Sequence, residues 1–465
     1  MTSNAYRSPD AAANPRPTTT GANVGQLLRR LHFYIGLFVA PFILIAAVTG
    51  TLYVLTPQIE ISLYAAQLFN QSQGPAHNLA EQVSVASNHV GASGRLFAVR
   101  PAKQAGWNSR IMFTAPGMGE SESRAIFVDP VTLQIKGDLQ VYGTSGTLPL
   151  RTTLDYLHRN LMLGDLGRNY SELAASWLWI AALSGLYLWW QTRNRRGQSE
   201  RKPTSLRRLH SLTGLWIVLG LIFFSATGLT WSRWTGAHVD QLRMHLGWVT
   251  PSASMQLQSM PVAALEHHHH DGGNRAVAAS TTPVLQMQDF DLVQSIARAG
   301  GIDAQELEIR PPRAPNQAWM VREVDRSWPT QVDTVAVDPV RKLITSRAEF
   351  ASFPLIAKLI RWGVDAHMGI LFGVANQIIM ALFGVALTVM IVLGYLMWWR
   401  RQPAAGATWQ PLCAALLALS WGYRITLGLV VLALGWTMPL MGISLLLFLL
   451  IDVVRYRLHQ RQNAC

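Results

Sequence analysis

Charged side chains are scarce in this 465-residue chain. Asp, Glu, Lys and Arg make up only 14% of it, whereas soluble domains usually carry about 25%. Half of the residues are hydrophobic. The shortage of charge therefore indicates a protein with several membrane spans.

Cysteine is almost absent. Neither Cys413 nor Cys465 lies in a segment that we place outside the cytoplasm, so we expect no structural disulfide. The Cys-x-x-Cys-His motif of covalently attached haem is also absent, as are flavin and nicotinamide motifs. Any cofactor must be held by side-chain ligands and packing, and any electron donor must be a separate molecule.

Acidic residues are too few to balance the basic ones, and the formal net charge is +13. A basic chain can bind nucleic acid, but that needs a basic patch on a soluble fold. Here the basic residues lie beside apolar runs, where they set orientation in a membrane. We therefore expect the lipid bilayer as a partner, and no nucleic acid.

About six apolar runs approach the roughly 20 residues that a membrane span needs. They are residues 31–55, 171–190, 209–232, 373–399, 414–436 and 438–455. The fifth run is the weakest, because Arg424 interrupts it and Pro411 precedes it. Arg and Lys flank the same ends of these runs, which predicts that both termini are cytoplasmic in a bacterial inner membrane. Segments 56–170 and 233–372 then lie in the periplasm.

The sequence repeats itself, which indicates a tandem duplication. Arg-Arg-Leu-His at 29–32 recurs at 207–210, and Val-Asp-Pro-Val at 128–131 recurs at 337–340. At the same two offsets, further pairs match: Gly36 and Gly214, Thr49 and Thr227, Gly50 and Gly228, His158 and His367, Gly164 and Gly373, Gly185 and Gly394, and Trp189-Trp190 and Trp398-Trp399. The fifth and sixth runs have no counterpart.

Each outer segment reads as a small α+β module. Helices are predicted at 79–90 and 289–299. Strands are predicted at 96–100, 110–114, 125–128, 306–310, 318–322 and 334–337. An amphipathic helix follows each module, at 150–163 and 354–370, and carries His158 or His367 close to the outer membrane face.

Four histidines fall at repeated positions, and we interpret them as axial ligands of two b-type haems. His32 and His210 open the first and third spans, where ionisable side chains are costly and usually functional. The alternative interpretation of each histidine is an interfacial residue whose side chain reaches the lipid headgroups. A glycine one turn later, Gly36 or Gly214, would leave room for a flat macrocycle.

Basic residues one turn before these histidines are candidates for binding haem propionates. They are Arg29, Arg30, Arg207 and Arg208.

The repeat predicts how the ligands pair: His32 with His210, and His158 with His367. Each pair would fill both axial positions of one iron, so the haems would transfer electrons and not activate oxygen. Two stacked haems would span a hydrocarbon layer of roughly 30 Å. A pairing between unequal depths remains open.

Other aromatic and histidine groups have simpler readings. The Trp-Trp pairs fit an aromatic belt better than an electron relay. The run His267–His270 could bind a metal, or it could be a flexible polar insertion. His77, His89, His238, His245 and His459 have no repeat partner and read as surface or structural residues.

With these motifs together, the chain resembles the PepSY-associated transmembrane family over about residues 25–400. Arg-Arg-Leu-His-x-x-x-Gly-Leu, the Val-Asp-Pro turns, and His with Gly six residues on carry the resemblance. It implies two periplasmic PepSY-like modules on a four-helix membrane core, and for some members a di-haem reductase of ferric siderophores.

The expected layout follows from these boundaries. It comprises a disordered cytoplasmic tail (1–25), span one (26–55), module one (56–150), an amphipathic helix with span two (151–192), a basic loop (193–208), span three (209–232), module two with the His-rich insertion (233–353), an amphipathic helix with span four (354–401), and spans five and six with a cytoplasmic tail (402–465).

The leading hypothesis is an oxidoreductase that moves electrons from a cytoplasmic reductase or quinol to a periplasmic ferric chelate, such as a ferric siderophore, for iron acquisition. One alternative is a non-redox PepSY scaffold that regulates periplasmic proteolysis. Another is a siderophore or metal permease.

Overall fold

The computed structural model describes residues 20–119, 121–194, 204–257, 286–400, 412–417 and 419–462. The predicted run His267–His270 and most of the predicted N-terminal tail lie outside these ranges. Contacts divide the chain into two compact units. The first unit comprises residues 1–43, 172–225 and 389–465, and the second comprises residues 44–171 and 226–388.

Helices account for most of the described residues. They are α1 (Thr20–Tyr34), α2 (Ala40–Val54), α3 (Thr56–Leu63), α4 (Ala65–Leu68), α5 (Leu79–Val90), α6 (Pro149–Asn160), α7 (Gly164–Asn194), α8 (Ser205–Thr230), α9 (Trp234–His245), α10 (Asp289–Ala299), α11 (Leu355–His367), α12 (Gly373–Trp399), α13 (Leu412–Leu417), α14 (Trp421–Thr437) and α15 (Pro439–Gln462). Helix α1 begins before the predicted boundary at residue 26, and no proline lies between Pro17 and its end at Tyr34 to interrupt it.

Five of the described helical segments are long and apolar enough to cross a membrane. They are Val24–Val54, Gly164–Asn194, Ser205–Thr230, Gly373–Trp399 and Pro439–Leu458. The fifth predicted run is not among them. It is divided into the short helix α13 and the 17-residue helix α14, and the Arg424 guanidinium donates to the carbonyls of Leu417 and Leu419 at the break.

All eight strands of the described chain belong to the second unit and form one antiparallel sheet. They are β1 (Arg95–Arg100), β2 (Ser109–Thr114), β3 (Glu122–Val128), β4 (Ile135–Tyr142), β5 (Leu307–Arg310), β6 (Trp319–Glu323), β7 (Thr334–Asp338) and β8 (Leu343–Ala348). The strand order is β4-β3-β2-β1-β5-β6-β7-β8. Each half of the sheet contains four strands in chain order, counted from the middle towards the edge, and β1 pairs with β5 where the halves meet.

The two expected modules therefore share one sheet. Helices α5 and α10 cover one of its faces, and residues from both halves form a single apolar core, including Val99, Ile309 and Phe290. The Asp291 carboxylate of α10 accepts hydrogen bonds from the first two backbone amides of α5, at 2.8 and 3.1 Å. These two hydrogen bonds satisfy backbone N–H groups of α5 that have no partner within the helix, because they lie at its N-terminus.

The edge strands β4 and β8 were not predicted from the sequence. Few of their side chains are fully buried, since only Val141 in β4 and Ala348 in β8 are. The repeated Val-Asp-Pro turns lie just before them. Asp129 and Asp338 each accept a backbone N–H two residues ahead, from Val131 and Val340, at 2.9 Å. These side-chain bonds fix the turn that starts each edge strand.

A buried carboxylate lies at the seam between β1 and β5. Glu308 is 1% exposed and binds three guanidiniums. Arg100 donates at 2.7 and 2.9 Å, Arg310 at 2.7 Å and Arg322 at 2.6 Å. Burial alone would raise the pKa of Glu308, but the charges of Arg100, Arg322 and Arg310 outweigh it and lower the pKa to about 2.

Glu308→Gln is expected to reduce the free energy of unfolding by about 3–5 kcal/mol, because three guanidiniums then lose a buried counter-charge. The neighbouring exposed carboxylate Glu306, which pairs with Lys103 at 2.7 Å, is the matched control. Glu306→Gln should cost at most about 1 kcal/mol. Denaturant unfolding of the full-length chain in detergent, followed by tryptophan fluorescence, measures both, and equal losses would refute the assignment.

The same carboxylate predicts a pH dependence. The folded pKa of Glu308 lies below its ordinary value of 4.5, so its contribution is fully present above that value and is lost as the pH falls towards 2. Wild type should lose more stability than Glu308→Gln over this window, measured by the same unfolding assay. Parallel pH profiles for the two proteins would contradict this.

Candidate functional site

The first histidine pair, His32 and His210, lies in the first unit. His32 is on α1 and His210 is on α8, and their ring centroids are 6.4 Å apart with an angle of 87° between the ring planes. Both residues are only partly buried. The repeated Arg-Arg-Leu-His motifs thus bring their imidazoles face to edge within one site.

Each ring of the first pair is held by another long helix, His32 by α7 and His210 by α12. His32 Nδ1 lies 3.0 Å from Ser184 Oγ on α7, and His210 Nδ1 lies 2.9 Å from the Met390 carbonyl on α12. Beside these partners, Gly185 and Gly394 face the rings. A Cβ at Gly185 would lie 3.2 Å from His32 Cε1, and one at Gly394 would lie 3.7 Å from His210 Cε1.

The second histidine pair, His158 and His367, lies in the second unit. His158 is in the last turn of α6 and His367 is the last residue of α11. Their ring centroids are 6.2 Å apart, with an angle of 63° between the planes. The second pair therefore repeats the spacing of the first.

Threonines at repeated positions hold the second pair. His367 Nδ1 lies 2.6 Å from Thr227 Oγ1. His158 Nδ1 lies 3.0 Å from the Ala46 carbonyl and 3.3 Å from Thr49 Oγ1. Burial lowers the pKa of both histidines, and the neighbouring His158 helps to lower that of His367 to about 3. Burial thus favours the neutral form of both rings, which is the form that binds metals.

Tight turns place the second pair at the start of the long helices. Gly164 and Gly373 begin α7 and α12, and both have φ +56°, a conformation that favours glycine. This explains the glycine six residues after each histidine. Tyr170 of α7 donates to the Leu157 and His158 carbonyls, and Asn376 of α12 donates to the Ala366 carbonyl at 2.9 Å. These bonds fix the ends of α6 and α11.

A short π-helix, Ile35–Val39, follows His32 directly. Such turns are rare and occur often at functional sites. Helix α8 is α-helical throughout the corresponding stretch after His210. The two ligand-bearing helices of the first pair therefore differ locally, although their sequence motifs match.

The spacing of both pairs leaves room for one metal ion between the rings. The five ring hydrogen bonds described above all use Nδ1, so Nε2 is the nitrogen that would bind metal. A metal–nitrogen bond of about 2 Å, plus roughly 1 Å from nitrogen to ring centre, puts two trans imidazoles about 6 Å apart. In the described ranges no three His, Cys, Asp or Glu side chains converge on a metal site, so each pair could supply two ligands.

The other predicted site residues differ in their surroundings. An added Cβ at Gly36 would meet nothing within 4 Å, whereas at Gly214 it would lie 3.2 Å from the Met390 sulfur. Arg29, Arg207 and Arg208 are exposed and Arg30 is partly buried. Arg207 donates to Thr192 Oγ1 at 3.3 Å.

Sequence reasoning assigned no role to the residues that hold the rings. Thr49, Thr227, Gly185 and Gly394 all recur at the repeat offsets, so the signal was present. What was missing was contact information, since a repeated threonine or glycine in a span also fits helix packing. Ser184 and the Met390 carbonyl have no sequence signal at all.

Comparison with known proteins identifies the family of this chain. A search of curated proteins finds no match for this chain. The family model described as the PepSY-associated TM region matches residues 29–401. This range contains all four paired histidines and overlaps four of the five apolar helices. The chain is therefore a membrane protein and belongs to the PepSY-associated TM region family.

Proposed function

We propose that this protein binds two b-type haems, one at each histidine pair, and carries electrons across the bacterial inner membrane to a ferric chelate in the periplasm. The observation that carries the proposal is the matched spacing of the two pairs, 6.4 and 6.2 Å between ring centroids. The two imidazoles of each pair would hold one haem iron between them. A haem bound there would supply one-electron transfer.

The surroundings of the rings support ligation. Each imidazole is oriented by a hydrogen bond at Nδ1, which fixes the tautomer and raises the basicity of the ligating nitrogen. Glycines beside the first pair and Gly50 beside His158 keep the rings close to the helix backbones. The four rings are thus held in place by the protein.

Orientation follows from the basic residues. The positive-inside rule puts the first pair near the cytoplasm and the second pair near the periplasm. The donor would be a cytoplasmic reductase or a quinol. Ferrous iron binds hard oxygen chelators weakly, so reduction of a ferric siderophore outside the membrane would release its iron. The shared sheet would form part of the surface that receives the chelate.

Loss of one ligand should remove one haem. His158→Ala and His367→Ala are each expected to reduce the haem content of the purified protein from about two to about one per chain, because one imidazole cannot provide bis-His ligation. His32→Ala should do the same at the other site. Haem is measured by the pyridine haemochrome method, together with reduced-minus-oxidised spectra.

The exposed His245 provides a matched control, and His245→Ala should keep the wild-type haem content. A colourless wild-type protein from haem-replete cells would end the proposal. Loss of both haems from every one of the four single variants would contradict the pairing.

The orienting bonds predict a difference between two threonines. Thr227→Val should speed haem loss from the second pair about tenfold, since changes to orienting partners typically weaken metal binding 10–100-fold. Thr49→Val should change it much less, because His158 Nδ1 keeps the Ala46 carbonyl at 3.0 Å. Haem transfer to apomyoglobin measures both rates, and equal rates in the two variants would show that these bonds do not orient the ligands.

Electron delivery can be tested in proteoliposomes. With dithionite or a quinol on the donor side, wild-type protein should reduce a membrane-impermeant ferric chelate on the other side, detected as a ferrous-ferrozine complex. His367→Ala should lose most of this activity, and His245→Ala should retain it. Accumulation of intact chelate without reduction would instead favour a permease.

A further inference from the structure

Helix α6 carries buried polar atoms that lack a hydrogen-bond partner. They are Nε and Nη2 of Arg151, Oδ2 of Asp155 and Nε of Arg159. Buried polar atoms are nearly always paired, and buried guanidinium nitrogens are costly to leave unpaired. The three side chains occupy successive turns of α6, the helix that carries His158 in its last turn. The cluster therefore has unused capacity to bind an anion.

The comparable cluster on α11 is complete. Asp365 is fully buried and accepts hydrogen bonds from Arg326 Nε at 2.7 Å and from Arg361 Nε at 2.9 Å. One carboxylate there satisfies two guanidiniums. In α6, by contrast, Asp155 forms no such bond with Arg151 or Arg159, and burial raises its pKa. The buried donors that could bind an external anion are therefore those of α6.

Arg151 lies on the same face of α6 as His158, and its guanidinium contacts α2. Seven residues separate Arg151 from His158, which is almost two turns and about 10 Å on the same face of α6. On α2, Gly50 faces the His158 ring, and one turn later the Tyr53 ring lies 4.6 Å from the Arg151 guanidinium. Arg151 therefore lies about two helical turns from the His158 ring, on the side of α6 that contacts α2.

Basic side chains outnumber acidic ones around Arg151. Four guanidiniums, those of Arg151, Arg159, Arg326 and Arg361, accompany the carboxylates of Glu60, Asp155 and Asp365. Asp365 pairs with Arg326 and Arg361, and Glu60 Oε1 accepts the backbone N–H of Arg151 at 2.9 Å. Among these groups the positive charges exceed the negative ones by one. A ligand carboxylate would balance that charge.

We infer that Arg151 binds a propionate carboxylate of the haem held by the second histidine pair. Its two unpaired nitrogens offer the paired donors that suit a carboxylate. The inference rests on the proposed function, and it adds a propionate site distinct from the arginines of the Arg-Arg-Leu-His motifs. Arg151 would anchor the edge of the macrocycle and raise the reduction potential of that haem.

Potentiometric titration of the purified full-length protein tests this assignment. The second-pair component is identified as the one missing from His367→Ala. Arg151→Gln should shift its reduction equilibrium about tenfold towards the oxidised form, which is a fall of about 59 mV for one electron. Arg151→Lys should restore most of the potential because it keeps the charge. Asp155→Asn should shift the same component in the opposite direction.

Arg124→Gln is the control, because Arg124 is paired with the exposed Asp138 on the sheet. It should change neither component. Loss of the second-pair haem from Arg151→Gln with recovery in Arg151→Lys would also support the site, whereas equal effects of both variants would overturn it. So would unchanged potentials in Arg151→Gln, or a shift of the first-pair component. A wild-type protein without haem would refute the proposed function itself, before Arg151 is tested.

Discussion

Two imidazole rings a little over 6 Å apart are too far apart to hydrogen-bond to each other, so their spacing must be imposed by the surrounding helices. In both pairs the ring is held at Nδ1 by a hydroxyl or carbonyl of another helix. Since these partners lie on regular helices, the rings are positioned by rigid elements before any ligand arrives. Such preorganisation is what a site with a defined ligand geometry requires.

The repeat produces equivalent positions, but the two pairs are not chemically identical. His32 contacts a serine hydroxyl where His210 contacts a backbone carbonyl. His367 has a short bond to Thr227, whereas His158 divides its Nδ1 between Ala46 and Thr49. Hydrogen bonding to a ligating imidazole tunes the metal. If each pair holds a haem as we propose, these differences would give the two haems different reduction potentials.

Much of this architecture was accessible from the sequence, because it depends on local signals. Apolar length predicted the membrane helices, and period-two alternation predicted the inner strands of the sheet. The pairing of His32 with His210 came from the offset of a four-residue motif. The fifth predicted run is divided into two helices for a local reason as well, because the Arg424 guanidinium donates to carbonyls at the break. The edge strands were missed because few of their residues are fully buried, and in β8 the apolar residues Leu343 and Ile344 are adjacent and do not alternate with polar ones.

Other features needed contacts that no local pattern encodes. The continuity of the sheet depends on one register, Val99 opposite Ile309, between strands more than 200 residues apart. The unpaired nitrogens of Arg151 can be recognised only once its neighbours are known. A basic residue on an amphipathic helix at a membrane surface has an obvious alternative reading, a side chain that reaches the headgroups.

The sheet explains why the second pair can keep its spacing. Edge strand β4 leads to α6, where Tyr142 lies 5.2 Å from Tyr156 and Arg159 donates to the Tyr142 hydroxyl at 2.6 Å. Edge strand β8 leads to α11 through Phe350, which packs against Trp362. The two histidine-bearing helices are thus connected through all eight strands, and the seam between β1 and β5 lies midway along that connection. Glu308 and its three arginines stabilise this seam, and with it the sheet from which both helices extend.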